Sequence, residues 1–423
     1  MKVAGTVRAP GDKSITHRAL LLAALGRGVS HVGGALTSLD ARSSARVLRQ
    51  LGATISPLRE SGVLTITGRG RFRAPERTLD CGNSGTTTRL LLGLLAAHRF
   101  RATLTGDASL RRRPMRRVTL PLAEMGARFE ERAGDGLPLT IRGGPLRPIR
   151  YSMPVSSAQI KSALLLAGVA GEVEVDLLEP SGRSRDHTER MLRAFGYDVV
   201  ERDGWIEFRP GGRIEPFDIQ VPGDPSSAAF LVGASVLAEG GELRIAGVGV
   251  NPTRTGFLRV LERMGAPIVT EAPDTSFGEP VADLIARPAA LRSTEVTAGE
   301  IPGLIDEIPM LAVLASRARG ETVFRDVGEL RVKESDRLGL IAGNLRALGG
   351  RAEVRGDHLH VEGVEHPPRG KVRTAGDHRI AMAFAVLGTL AGARVAIDDI
   401  VCAAVSFPGF PATLRRIAAR RSR

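Results

Sequence analysis

The 423-residue sequence has only two cysteines, Cys81 and Cys402, far apart and without metal-ligand spacing. Neither a disulfide framework nor a cysteine-based zinc site is therefore suggested. Aromatic residues are scarce, 4% of the chain with one Trp and two Tyr, which leaves little with which to stack nucleobases. The longest apolar stretches are short and interrupted by glycine, and Met1 to Gly11 lacks both the apolar run of a secretory signal and the Arg/Ser pattern of a transit peptide. A cytoplasmic protein with no membrane partner is expected. Lysine is almost missing too: Lys2, Lys13, Lys161, Lys333 and Lys371 are the whole set. In a chain so rich in arginine, each remaining lysine asks for an account.

What is present is the composition of a globular protein, 43% hydrophobic and 25% charged, with a formal net charge of +13. Such a charge suits either a nucleic acid or small anions as partner. The distribution favours small anions, because basic residues are spread along the chain, with runs only at Arg111 to Arg113 and Arg415 to Arg423. The length exceeds one ordinary core and points to two domains.

An internal repeat of about seventy residues organises the chain. One signal is a helix ending L-x-x-Φ-G before a strand-like stretch, at Leu48 to Gly52, Leu122 to Gly126, Leu192 to Gly196, Leu261 to Gly265 and Leu345 to Gly349, with a degenerate sixth copy near Leu414. Each glycine falls where a helix end favours a left-handed residue. The other signal is a small, polar run opening a strongly apolar helix, at Gly11 to Ser14, Gly82 to Gly85, Ser156 to Gln159, Gly223 to Ser226, Leu304 to Glu307 and Gly376 to Arg379. Helices apolar nearly all round are buried ones. Alternating stretches such as Val63 to Thr67 and Leu359 to Glu362 predict strands, giving a β-α-β-α-β-β unit. Six units divide as three and three. Pro10-Gly11-Asp12 recurs as Pro222-Gly223-Asp224, so one domain is expected at 12–223. The other is expected at 1–11 plus 224–423, with two crossings and hinges near 10–12 and 222–224.

A helix amino terminus presents unpaired N–H groups and a partial positive charge, which suits phosphate or carboxylate. Cations accompany several openings: Lys13 and Arg18, Arg89, Lys161, and His378 with Arg379. Further basic motifs place Arg113 in Leu-Arg-Arg-Arg-Pro-Met, Arg185 in Ser-Gly-Arg-Ser-Arg-Asp-His, and Lys333 with Arg337 in Arg-Val-Lys-Glu-Ser-Asp-Arg. Singly, each has an ordinary explanation as a helix cap, a turn or a solvated charge. Gly-Asp-Lys-Ser is not a P-loop, since Thr6 stands where its first glycine would be. Their joint occurrence, about one per repeat, points to an anion-binding cleft.

The motifs Pro-Gly-Asp-Lys-Ser-x-x-x-Arg at 10–18, Gly-Asn-Ser-Gly-Thr at 82–86, and Thr-Gly-Asp-x-Ser-Leu with Arg-Pro-Met at 105–115 begin a series. It continues with Ser-Ala-Gln at 157–159, Leu-Ile-Asp-Glu-Ile-Pro at 304–309, Arg-Val-Lys-Glu-Ser-Asp-Arg at 331–337 and Asp-His-Arg-Ile-Ala-Met at 377–382. In this order they resemble the 5-enolpyruvylshikimate-3-phosphate synthases along nearly the full length. The resemblance implies a two-domain, inside-out α/β barrel of the enolpyruvyl transferase type, with three repeats around buried parallel helices in each domain. It also implies an active site in the cleft between the domains that closes on substrate, and phosphoenolpyruvate and shikimate 3-phosphate as substrates. Lys13, Ser14, Arg18, Ser157, Gln159, Ser181, Arg185, Asp306 and Lys333 would contact shikimate 3-phosphate. Lys13, Asn83, Gly85, Arg113, Gln159, Arg337 and Arg379 would contact phosphoenolpyruvate. Asp306 and Glu334 are the candidates for proton transfer, with Lys13 as donor and charge partner. Neither a metal nor an organic cofactor is implied, nor a nucleic-acid partner, and a monomer is the default expectation.

Two other functions compete. A UDP-N-acetylglucosamine enolpyruvyl transferase has the same type of fold but carries a Cys on a mobile loop, and the corresponding stretch here, Asp107 to Met115, has none. A non-catalytic RNA-binding protein on a similar repeat would exploit the basic charge. Two details mark the chain within the resembled family. Val405 stands where some members have Lys, and Gly85 resembles members sensitive to glyphosate.

Overall fold

The computed structural model describes residues 1–59, 62–131, 134–180 and 182–419. The chain forms two compact units, one of Gly11–Val221 with Ser276–Glu279, the other of Met1–Pro10, Pro222–Thr275 and Pro280–Arg423. They are called here the N-terminal and C-terminal units. The segment Ser276–Glu279 is a passage of chain into the N-terminal unit that the sequence repeat does not announce. There Phe277 packs against Phe195 and Phe217, with ring centroids 5.0 and 5.2 Å away.

Six helices form the two cores. In the N-terminal unit these are α1 (Lys13–Leu25), α3 (Gly85–Ala96) and α6 (Ala158–Gly171); in the C-terminal unit, α8 (Pro225–Val236), α10 (Ile308–Ala315) and α12 (His378–Leu387). They are buried nearly all round, as a helix without a polar face must be. Each fully buried leucine contributes roughly 1.5–3 kcal/mol relative to exposure, so these helices, together with the strands and outer helices packed on them, supply the apolar stabilisation. Small residues permit close approach. A Cβ added at Gly93 of α3 would lie 2.0 Å from the Ala163 carbonyl oxygen of α6.

Amphipathic helices alternate with the central ones: α2 (Leu39–Gln50), α5 (Arg116–Glu124), α7 (His187–Ala194), α9 (Gly256–Arg263), α11 (Arg337–Ala347) and α13 (Phe410–Ile417), with the single turn α4 (Ala108–Arg111) before α5. The first five of these outer helices end at Gly52, Gly126, Gly196, Gly265 and Gly349, whose φ values are +101°, +119°, +78°, +88° and +90°. Only glycine adopts this region without penalty, which is why L-x-x-Φ-G recurs.

Four-stranded sheets share one plan, a parallel edge pair followed by two antiparallel strands. In the N-terminal unit, Asp218–Gln220 runs parallel to Arg27–Gly33, which pairs antiparallel with Val63–Arg69, and that with Thr54–Ile55. The plan recurs with Leu79–Asp80, Arg101–Thr105, Leu139–Arg142 and Arg128–Glu131, and with Ile149–Ser152, Val175–Leu178, Trp205–Arg209 and Asp198–Arg202. In the C-terminal unit the first strand, Gly5–Arg8, pairs parallel with Leu243–Gly249. The order Glu295–Val296, Glu321–Phe324, His358–Glu362, Arg351–Arg355 repeats the plan. No helix among the described residues is long and apolar enough to cross a membrane.

Candidate functional site

In the N-terminal unit the first turns of α1, α3 and α6 are tied together. Asp12 caps α1, its side chain accepting from Ile15 N at 2.8 Å, and Ser84 caps α3 by accepting from Thr87 N at 3.1 Å. Arg18 is buried and immobilised: it donates to Thr188 Oγ1 at 2.7 Å, Ser162 Oγ at 2.6 Å and the Ser14 carbonyl at 2.9 Å. Burial lowers its pKa to about 10, which still leaves it charged at neutral pH. His17 bonds Ser44 Oγ at 2.7 Å, Ser44 bonds Thr87 Oγ1 at 2.6 Å, and Thr87 donates to Ser84 Oγ at 2.7 Å. A chain of hydroxyls thus joins the start of α1 to the cap of α3. Burial, then Lys13 and Arg18, push His17 down to about 3, so it stays neutral and adds no positive charge.

At the opening of α3, Arg113 donates to Asn83 Oδ1 at 2.7 Å, and Asn83 donates to Asp107 Oδ2 at 2.6 Å. Gly85 lies under two guanidinium groups: a Cβ there would stand 3.1 Å from both Arg113 Nη1 and Arg89 Nη1. Arg89 donates to Gln159 Oε1 and to the Pro114 carbonyl, while Gln159 donates to Thr86 Oγ1 at 3.0 Å. Lys13 pairs with Asp40 at 3.3 Å. Ser157 precedes α6 without capping it through its side chain, and Arg185 is half-buried at the approach to α7. Of the residues named from sequence in this unit, Asn83, Gly85, Arg113 and Gln159 form one neighbourhood with Arg89. Lys13, Ser14 and Arg18 form another at the start of α1. Ser181 lies outside the described residues.

Lys161 differs from the expectation that grouped it with cations awaiting anions. It is 1% exposed and paired with Glu179 at 3.0 Å and Glu189 at 2.8 Å. Burial works against its charge, but Glu189 and Glu179 raise its pKa above the ordinary value. It is a structural cation.

The C-terminal unit has a second cluster. Arg337, fully buried, meets Asp377 at 2.8 Å, Asp306 at 3.3 Å and Glu334. Its burial disfavours charge, yet Asp377, Glu334 and Asp306 hold its pKa above the ordinary range. Asp377 also caps α12 through Arg379 N at 2.9 Å and accepts from Ser335 Oγ at 2.9 Å. Arg379 reaches both ends of Asp306: the carbonyl oxygen at 3.1 Å and Oδ2 at 3.5 Å. Half-buried Lys333 is adjacent; burial lowers its pKa, opposed by the attraction of Asp306. All five residues named from sequence here, Asp306, Lys333, Glu334, Arg337 and Arg379, therefore share one cluster. Among the described residues no group of three His, Cys, Asp or Glu is arranged to hold a metal.

The sequence reading missed the holders of these groups. Thr188 and Ser162 on Arg18 and Asp40 on Lys13 carry no motif, and Thr86, which holds Gln159, closes the quoted Gly-Asn-Ser-Gly-Thr run without being marked there as a partner. Asp377 lay inside a quoted motif, but only the structure shows that one oxygen caps α12 at Arg379 N while the other holds the Arg337 guanidinium.

Three-repeat units with cations gathered at the amino ends of buried helices define an enolpyruvyl-transferase architecture. The fold matches that of the enolpyruvyl transferase NikO from Streptomyces tendae, with a TM-score of 0.79, 19% identity, and coverage of 99% of this chain and 96% of that one. The closer comparison is with EPSP synthase from Acinetobacter baumannii, with a TM-score of 0.85, 39% identity, and coverage of 98% and 96%. Residues 1–414 match the family EPSP synthase (3-phosphoshikimate 1-carboxyvinyltransferase). Relatives called 3-phosphoshikimate 1-carboxyvinyltransferase from Desulfitobacterium hafniense and Thermus thermophilus are 47% and 48% identical. The alignments cover 99% and 98% of this chain and 96% of each relative. The chain belongs to the EPSP synthase family.

Proposed function

We propose that this chain transfers the enolpyruvyl (carboxyvinyl) group of phosphoenolpyruvate to the 5-hydroxyl of shikimate 3-phosphate, releasing phosphate, in the shikimate route to chorismate. The observation that carries this reading is the full-length identity to relatives that bear the name of the reaction. The clusters supply what its chemistry demands. Each substrate brings a phosphate and a carboxylate, and fixed guanidinium groups recognise both with directional, charge-assisted hydrogen bonds. Lys13, Ser14, Arg18, Ser157, Gln159, Ser181, Arg185, Asp306 and Lys333 are assigned to shikimate 3-phosphate. Lys13, Asn83, Gly85, Arg113, Gln159, Arg337 and Arg379 are assigned to phosphoenolpyruvate.

In this reading the shikimate 5-hydroxyl adds to C2 of phosphoenolpyruvate as C3 takes a proton, giving a tetrahedral ketal. Loss of phosphate with removal of a C3 proton then yields the enol ether. Asp306 serves the 5-hydroxyl, Glu334 serves C3, and Lys13 donates and balances charge. Arg337 contacts both carboxylates and so fixes their positions relative to each other. Pre-set dipoles and charges of this kind need no reorganisation during reaction. The reading places a monomeric enzyme in the cytoplasm.

Phosphate release tests the reading. It is expected only with phosphoenolpyruvate and shikimate 3-phosphate together. Turnover with UDP-N-acetylglucosamine in place of shikimate 3-phosphate, or no turnover with the named pair, would overturn it.

A further inference from the structure

We infer that the N-terminal unit carries a second anion site, at the carboxyl ends of its three central helices, that takes a compact inorganic or organic polyphosphate. A cavity of about 1290 Å³ lies there, bounded by Leu25 and Gly26 after α1, Ala97 after α3, and Val169 and Ala170 near the end of α6. The helices are 13, 12 and 14 residues long. At 1.5 Å per residue the cavity is roughly 18–21 Å from the first turns that carry the candidate catalytic cluster.

Its walls are strongly basic. Arg27, Arg69, Arg71, Arg73, Arg99 and Arg213 line it, with Glu172 the one carboxylate among the lining residues. Helix carboxyl ends need some compensation, about half an elementary charge each. Arg213 is also offset by Glu215 at 3.1 Å. After the three helix ends, Glu172 and Glu215 are counted, a surplus of about 2.5 positive charges remains. Among the described residues the lining arginines Arg27, Arg69, Arg71, Arg73 and Arg99 enter no ion pair, and Arg69 donates only to the Gly52 carbonyl, at 3.1 Å.

The basic wall is held in place by its backbone. Gly70 N donates to the Gly26 carbonyl at 2.9 Å, and Arg73 N to the Leu51 carbonyl at 2.9 Å. Between them Phe72 N donates to His98 Nε2 at 3.1 Å, while His98 Nδ1 bonds the Leu94 carbonyl at 2.9 Å. His98 can do both only as the neutral ring protonated at Nδ1, and its burial favours that form. Arg71 and Arg73 thus project from a segment pinned at three successive points, which limits the ordering cost of binding. The concave shape suits a small molecule. Phe72 stacks on His98 with centroids 5.2 Å apart, which commits that ring within the protein and leaves charge, not base stacking, as the means of recognition.

The test is titration of the full-length chain with inorganic tripolyphosphate by calorimetry at about 0.15 M salt. The wild type should bind saturably. Arg71→Gln combined with Arg73→Gln should weaken binding about hundredfold, at about tenfold per lost charge-assisted contact, with kcat and KM for the proposed reaction unchanged. Arg99→Gln, on a different loop, should weaken it about tenfold, and Arg113→Gln in the catalytic cluster should leave it intact. The inference is overturned by absence of saturable binding to the wild type at millimolar ligand. It is also overturned by unchanged binding to the Arg71/Arg73 variant, by loss of binding with Arg113→Gln, or by tighter, length-dependent binding of single-stranded RNA that depends on the same arginines.

Discussion

Replacing Asp306 by Asn separates chemistry from positioning. The side chain is 16% exposed and lies 3.3 Å from Arg337 and 3.5 Å from Arg379. Asn preserves its shape and removes its charge and its capacity to take a proton. The two arginines keep other anchors. Arg337 retains Asp377 at 2.8 Å and Glu334, and Arg379 retains the main-chain carbonyl of residue 306 at 3.1 Å, which the substitution leaves in place. Substrate cations should therefore stay where they are, and KM for phosphoenolpyruvate should change by less than about tenfold, or ~1.4 kcal/mol. Loss of a general acid–base group should lower kcat by about 10²- to 10⁴-fold, which is roughly 3–5 kcal/mol of barrier. Initial rates of phosphate release over a range of phosphoenolpyruvate concentrations, at saturating shikimate 3-phosphate, separate the two constants. A kcat within about threefold of wild type would remove Asp306 from the proton transfers. A large rise in KM with kcat unchanged would make it a positioning residue for Arg337 and Arg379.

Two further substitutions address stability. Lys161→Met leaves Glu179 and Glu189 buried without their cation and should cost roughly 3–5 kcal/mol. For a unit of about 200 residues that lowers the melting temperature by about 6–20 °C, and a loss below about 1 kcal/mol in denaturant titration would refute the structural role. His17 is held at about 3 in the fold against 6.5 when free, so the unfolded chain binds the extra proton first. Its contribution to stability is intact above pH 6.5 and falls by about 1.4 kcal/mol per pH unit as pH drops from 6.5 towards 3. Between pH 7 and pH 5 the wild type should therefore lose about 2 kcal/mol more than His17→Asn in matched denaturant titrations. Equal losses would show that His17 is not held neutral.

The repeat was legible because its physics is local. A glycine forced to positive φ and a helix with no polar face each leave a mark within a dozen residues, so the outer and central helices follow from L-x-x-Φ-G and the apolar runs. Helix caps were legible in kind but not in use. Asp12, Ser84, Asp224 and Asp377 do cap their helices, accepting from Ile15, Thr87, Ser226 and Arg379, whereas the openings at Ser157 and Glu307 have no such side-chain bond. What stayed hidden is non-local. The partners of Arg18 lie 144 and 170 residues away, and nothing near Lys161 in sequence announces that Glu179 and Glu189 neutralise it. The docking of Ser276–Glu279 into the N-terminal unit depends on His187 meeting Glu279 at 2.7 Å and on Phe277 joining two other rings. No periodic pattern encodes it. The basic cavity was invisible for the same reason, since its arginines come from four separate stretches of chain.

The proposed roles of Arg113 and Arg379 in binding phosphoenolpyruvate are tested most directly by the KM for phosphoenolpyruvate in two single variants. Arg113→Gln alters the N-terminal unit and Arg379→Gln the C-terminal unit. The account predicts that each raises KM for phosphoenolpyruvate by at least about tenfold, the worth of one charge-assisted hydrogen bond. An unchanged KM for phosphoenolpyruvate in either variant, with the protein folded, would contradict it.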